Sequence, residues 1–228
     1  MPRQIRTAVA AALTLVACLA GSMDKPAVAE EISGAVVTMY HRFGENDYPS
    51  TSIRIAQFEE HIEELKKERY KVLPLPEVID ALKTGKPLAD HTIAITVDDA
   101  YLSVYEHAWP RLKAAGLPFT LFVATGVIDR KVQGYMSWDQ IRELKDAGVT
   151  IGSQTQSHPH MTTLDRQALD RELADSNQRF VEELKEKPAI FAYPHGEYSL
   201  LVRTPVADAG FGAAFGHVRN SGGWGDRV

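Results

Sequence analysis

A single cysteine, Cys18, excludes a disulfide framework and any metal site built from several thiolates. Charge of one sign is also scarce: 25 Lys and Arg stand against 30 Asp and Glu in 228 residues. The net charge of −5 leaves no basic footprint of the kind nucleic acid requires. Neither a Gly-x-Gly-x-x-Gly fingerprint nor a phosphate-binding P-loop follows any strand candidate, so nucleotide chemistry has no support. The charge-free apolar run at the N-terminus, Thr7 to Ala20, falls short of the ~20 residues a membrane-spanning helix needs. Internal repeats, low-complexity tracts and Pro-, Gly- or Ser-rich linkers are missing as well. What is there suits one sizeable globular domain, with 44% hydrophobic and 24% charged residues.

The N-terminal run reads as an export signal. Arg3 and Arg6 precede it, and Ala27-Val28-Ala29 follows as a small-residue cleavage site before Glu30. Residues 1–29 are therefore expected to be a signal peptide and 30–228 the mature domain, periplasmic or secreted, with no membrane span after processing. Leu15-Val16-Ala17-Cys18 supports an alternative, a lipoprotein anchored through Cys18.

From Ala35 onward, short β-branched runs alternate with amphipathic segments. Strands are predicted at 35–40, 72–73, 91–97, 118–123, 149–151, 189–192 and 211–215. Helices are predicted at 55–69, 76–82, 103–115 (interrupted at Pro110), 137–147, 165–185 and 199–209. This alternation means parallel pairing in an α/β domain. Six or seven units suit a distorted, incomplete (β/α) barrel, with an open doubly wound sheet as the alternative.

Polar residues collect where the predicted strands end. Tyr40 leads into His41, the HTIAITV strand into Asp98-Asp99, the 149–151 strand into the segment from Gly152 to His160, and the 189–192 strand into Tyr193-Pro194-His195-Gly196. In a β/α barrel all four sets lie around one mouth. Such a set suits hydrolysis at a metal, where about three N or O ligands hold an ion and a nearby carboxylate takes a proton from water. Successive side chains on a strand alternate, so one Asp of the pair would serve as ligand and its neighbour as base or orienting group.

At these residues the chain resembles the polysaccharide deacetylase family, the NodB-homology group of carbohydrate esterases. Three stretches carry the likeness: Thr96-Val97-Asp98-Asp99-Ala100, Gly152-Ser153-Gln154-Thr155-Gln156-Ser157-His158, and Ala192-Tyr193-Pro194-His195-Gly196. The resemblance implies Asp98 as catalytic base, Asp99 and His158 as ligands of zinc or another divalent ion, and the backbone N–H of His195 as an oxyanion donor. It implies a carbohydrate partner, with His41, Tyr193 and Pro194 against the substrate, and release of acetyl groups from N-acetylglucosamine in chitin oligosaccharides, peptidoglycan or a similar glycan. Tyr193, Tyr198 and Trp138 would offer faces to sugar rings or else pack ordinarily.

The sequence departs from the family pattern at named positions. Gln154 stands where the family has the first histidine of its second motif, Ala192 where an arginine orients the catalytic aspartate, and Ala100 where glycine is usual. His160 is an alternative third ligand, because side chains two apart share a face of an extended segment. The chain stops soon after the last strand candidate, and His217 is a weak substitute for the family's later histidine, so a barrel truncated at its C-terminus is expected. The second functional reading is accordingly an impaired relative that binds glycans or does nothing specific.

Overall fold

The computed structural model describes residues 34–216 and the backbone of 219–220 and 223–224. The signal sequence, the Cys18 alternative and the reading around His217 and the chain end concern residues outside the described range. The described elements, in chain order, are β1 (Val36–Tyr40), β2 (Arg42–Phe43), β3 (Ser52–Ile53), α1 (Ile55–Leu65), β4 (Lys71–Val72), α2 (Leu75–Thr84) and β5 (Thr92–Val97). A π-helical turn (Val104–Ala108) then leads into α3 (Trp109–Ala115), β6 (Phe119–Val123), α4 (Thr125–Asp129), α5 (Trp138–Asp146) and β7 (Thr150–Ser153). The series continues with α6 (Arg166–Leu184), β8 (Ile190–Ala192), α7 (Leu200–Asp208) and β9 (Ala213–Phe215), besides two 3₁₀ turns (Met161–Thr163 and Pro194–Gly196) and a short antiparallel pair, β10 (Arg219–Asn220) with β11 (Gly223–Trp224).

One sheet runs in the order β1-β5-β6-β7-β8-β9, with β4 also paired to β5, and every pairing in it is parallel. It curls into a half-barrel whose path ends at β1 and β9, the incomplete barrel expected from the alternating pattern. Parallel strands covered on both faces read as unbroken apolar runs rather than as alternation. Accordingly β5, β6 and β8 are buried at every position. Side chains still alternate between faces. Ile95, Val97, Leu121 and Val123 pack with Phe58, Leu112, Ile141 and Phe180 of the surrounding helices. Ala94 and Phe122 turn the other way, onto Ile190, Ala192 and the α2 residues Leu75 and Val78.

Local chemistry sets the helix ends. Ser137 caps α5 in a reciprocal box with Gln140, and the Asp165 side chain accepts the Ala168 N–H at the start of α6. The predicted 103–115 helix divides in two at Pro110, which has no N–H to donate and sits in the first turn of the second part, whereas Pro205 is kept inside α7. A π-helical turn ends at Ala108, and α3 restarts at Trp109. The β2–β3 pair and α4 were not predicted, since elements of two and five residues are too short to show a period.

Gly152 in β7 is closely packed beneath the rim. A Cβ there would lie 2.4 Å from two ring carbons of Phe122. Gly152→Ala is therefore expected to destabilise by about 1–3 kcal/mol through overpacking. In thermal unfolding each 1 kcal/mol lost lowers the midpoint by about 2–4 °C. An unchanged midpoint would mean that Phe122 repacks without cost.

Candidate functional site

Because the strands of the main sheet are parallel, their C-terminal ends share one rim, and all four polar segments sit on it. The backbone there is unusual. Of the eight described non-glycine residues with positive φ, five lie on this rim: Asp99 (71°), Ala100 (55°), Thr155 (68°), His158 (60°) and His195 (59°). Each such conformation costs about 1–3 kcal/mol and persists only where its surroundings hold it. The strained positions thus concentrate at the strand ends where the polar segments lie.

Specific bonds hold it. The Asp98 N–H donates to the Tyr40 carbonyl at 2.8 Å, and the Gln154 N–H donates to the Val123 carbonyl at 2.9 Å, so both segments extend the sheet's ladders by one residue. The Asp99 N–H donates to Gln154 Oε1 at 3.1 Å, bridging the β5 and β7 ends. The His158 N–H donates to Thr155 Oγ1 at 3.1 Å. Glu172, on α6, clamps the same loop: its carboxylate accepts the N–H groups of Gln156 (3.1 Å) and Ser157 (2.8 Å) and the Ser157 hydroxyl (2.6 Å). Sequence reading missed Glu172, because an acidic residue on a helix carries no local sign of a loop 15 residues earlier.

The titratable groups divide by burial. Asp98 is only 9% exposed. Burial, and then the negative charge of Asp99, pushes its carboxyl well above the usual range. His158 Nε2 lies 3.3 Å from Asp99 Oδ1. Burial holds the His158 imidazole below its ordinary value; Asp99 opposes that shift, while His195 and His41 add to it. The structure thus brings Asp98, Asp99, Gln154, His158, His195 and His41 together.

His160 goes elsewhere. The expectation that it shares a face with His158 fails because the positive φ of His158 breaks the extended alternation. The His160 ring stacks on His195 at 3.9 Å and 14°, and its Nδ1 lies 3.1 Å from Glu197 Oε2. His195 meets His158 edge-on, at 4.6 Å. Tyr193 is buried against Phe191 and stacks with Tyr198, and Pro194 beside it is also buried. Trp138 is a packing residue: its Nε1–H donates to Asp129 and its ring meets Phe180.

As a place for a divalent ion, the rim fits in part. Two zinc ligands at about 2.0–2.1 Å in a tetrahedral arrangement stand roughly 3.3–3.4 Å apart. The Asp99–His158 spacing of 3.3 Å matches that edge. Among the described residues, no group of three or more His, Cys, Asp and Glu is placed to hold an ion. Gln154, also beside Asp99, is 2% exposed and has its oxygen on the Asp99 N–H. The donor set is therefore two protein ligands and a neutral amide.

A second cluster, also missed in the sequence, adjoins Asp99. Arg42 lies between the rings of Tyr48 and Tyr101, and Tyr101 packs on Tyr135 at 4.7 Å. Burial and then the Asp99 charge push the Tyr101 phenol upward.

The profile of the polysaccharide deacetylase family matches residues 85–214. YxkH of Bacillus subtilis is 29% identical over 163 residues, covering 72% of this chain and 57% of its own. The poly-beta-1,6-N-acetyl-D-glucosamine N-deacetylase of Staphylococcus aureus is 27% identical over 159 residues, covering 64% and 54%. The chain thus spans a little over half the length of these relatives. The solved structure of IcaB from Ammonifex degensii superposes with a TM-score of 0.72 at 28% identity, covering 81% of this chain and 84% of that one. Streptococcus pyogenes deacetylase PplD superposes equally well at 23% identity, a likeness of fold.

Proposed function

The chain belongs to the polysaccharide deacetylase family, and from that premise we propose that it hydrolyses the acetamido groups of an N-acetylglucosamine-containing oligo- or polysaccharide outside the cytoplasm. The observation that carries the reading is the Asp98–Asp99–His158 grouping on a strained rim inside the matched region. A relative that acts on poly-N-acetylglucosamine supports the substrate class. The signal-like residues 1–29 support export.

Asp99 and His158 would hold a divalent ion, zinc or a similar metal. Such an ion supplies Lewis acidity, polarising the acyl oxygen and acidifying water. The lowered affinity of His158 for protons keeps its ring neutral near pH 7, so Nε2 retains the lone pair a metal needs. Asp98, when ionised, is the base: its burial makes it a stronger proton acceptor than an exposed carboxylate. Water adds to the acetamido carbonyl and yields its proton to Asp98. The protonated Asp98 returns it to the departing nitrogen as the C–N bond breaks, leaving a free amine and acetic acid, which ionises to acetate in water. The His195 N–H, on its left-handed turn, would stabilise the oxyanion between these steps.

The test is acetate release from β-linked N-acetylglucosamine oligomers, measured together with metal content. Wild-type protein is expected to release acetate with an added divalent ion, and Asp99→Ala to lose both bound ion and at least about 100-fold of the rate. Absence of acetate from every oligomer at saturating ion would reject the reading. The engaged Gln154 amide favours a second reading, a glycan-binding relative with little turnover, which oligomer binding without acetate release would support.

A further inference from the structure

The loop that presents His158 is held by side chains at each of its N–H groups from Thr155 to His158. The Thr155 N–H donates to Ser153 Oγ at 3.2 Å, and the His158 N–H donates to Thr155 Oγ1 at 3.1 Å. Between them, the N–H groups of Gln156 and Ser157 converge on a single oxygen of Glu172, while its other oxygen accepts the Ser157 hydroxyl. The carbonyls of Thr155 and Gln156 accept the N–H groups of Thr125 and Gly126, at the start of α4, at 3.2 and 2.8 Å. A trans peptide points its C=O and its N–H to opposite sides. The two consecutive peptide planes before Ser157 are therefore fixed at both ends, by α4 on one side and by Glu172 on the other. Gly126 permits this approach, since a Cβ there would lie 2.8 Å from the Gln156 carbonyl oxygen.

Glu172 stands on a rigid support. It lies one turn before Ser176 on the 19-residue α6, and the Ser176 hydroxyl meets Ser153 Oγ at 3.1 Å. Leu169 and Leu173 of the same helix pack with Met161, Phe191 and Tyr193 under the rim. Successive N–H groups of a turn make a small cradle for negative charge, and bonds to a carboxylate are stronger than those between neutral groups. Among the described residues, all three Glu172 hydrogen bonds go to this loop. The left-handed residues Thr155 and His158 flank the clamped pair, Gln156 and Ser157, so release of the clamp frees both turns to relax. The imidazole would then leave its place 3.3 Å from Asp99 Oδ1, although a working site holds its groups within about 0.5 Å.

Resting on the deacetylase reading above, in which Asp99 and His158 hold the ion, we propose that Glu172 is a positioning residue. From α6 it fixes the backbone just before His158 and so sets the imidazole against Asp99. It acts through the loop, by the geometry of its hydrogen bonds, and not on the ion or the substrate.

Calorimetric zinc titration of chelator-treated wild type, Glu172→Ala, Glu172→Asp and Glu172→Gln tests this without requiring turnover. Zinc affinity is expected to fall about 10–100-fold in Glu172→Ala, the scale of losing a group that orients a ligand. Glu172→Asp keeps the charge but falls short by one methylene, and should lose at least about threefold. Glu172→Gln should stay within about twofold of wild type, because its amide oxygen accepts both N–H groups while its nitrogen donates to the Ser157 hydroxyl. In the ion-free proteins, hydrogen exchange at the Gln156 and Ser157 amides should quicken in Glu172→Ala while β5 stays protected. A lowered unfolding midpoint with unchanged zinc affinity in Glu172→Ala would make Glu172 merely structural and overturn the proposal. Loss in Glu172→Gln with retention in Glu172→Asp would also overturn it, by assigning the effect to charge, as would wild type taking up no zinc. If zinc weakens as expected in Glu172→Ala but wild type releases no acetate, the positioning role stands and the deacetylase reading falls. Acetate release by wild type with unchanged zinc affinity in Glu172→Ala would remove the positioning role and leave the deacetylase reading standing.

Discussion

Asp98→Asn is expected to remove at least about 100-fold of acetate release and, in the ion-free protein, to raise the unfolding temperature at pH 8. The first effect follows from losing the general base, a contribution of roughly 10²–10⁴. The second follows from linkage. The folded-state carboxyl of Asp98 is raised by burial and by Asp99, so between the ordinary carboxylate range and that higher value the folded protein binds the extra proton. Stability then falls as pH rises through this window, and above it the ionised, buried carboxylate carries the full penalty. Asparagine has nearly the same shape and no charge to desolvate. The stability difference between variant and wild type should therefore be small near pH 4 and grow toward pH 8, each 1 kcal/mol relieved appearing as about 2–4 °C. Thermal unfolding of chelator-treated protein across that range checks it. A lower midpoint for the asparagine variant at pH 8 would show that the ionised Asp98 is supported by its surroundings, against the burial argument.

Gln154→His is the change expected to improve the site. The resemblance to the family puts Gln154 where a histidine is expected, and its amide reaches the Asp99 backbone, next to the carboxylate that lies 3.3 Å from His158. An imidazole in this place would add a third nitrogen or oxygen donor, and zinc should bind at least about 10-fold more tightly. The control is Gln154→Leu, which leaves the Asp99 N–H without its acceptor at a cost of about 1–3 kcal/mol and should loosen the strained turn that aims Asp99. His160→Ala should change zinc affinity less than about twofold, because His160 is occupied with Glu197 and His195. Zinc titration of the three variants decides the matter. Weaker binding in His160→Ala, with no gain in Gln154→His, would mean that His160 swings in as the third ligand.

What the sequence determined by itself was whatever depends on near neighbours along the chain. The β-branched apolar run ending at Val97 read most clearly as a strand, and Ser137 and Asp165 could be read as helix starts because caps act over three residues. The alternation of such units specified a parallel α/β sheet, and parallel strands place Asp98-Asp99, the 152–160 segment and the 193–196 segment on one rim. The three motif stretches named the family on the same grounds.

Only the tertiary structure decided the rest. That the rim residues take left-handed conformations is not written in their residue types, since Asp, Ala, Thr and His all prefer negative φ; packing and bonds such as Gln154 to Asp99 and Glu172 to the 156–157 backbone impose it. One of those turns, at His158, cancels the two-residue alternation and sends His160 to Glu197 instead of toward Asp99. Burial of the Asp98 carboxyl, and the stacking of Arg42 between tyrosines 6 and 59 positions away, likewise arise where separate loops meet. Hydrophobic period and capping act locally and leave a trace in the sequence, whereas the approach of two loops is set by the whole sheet and leaves none in either loop alone.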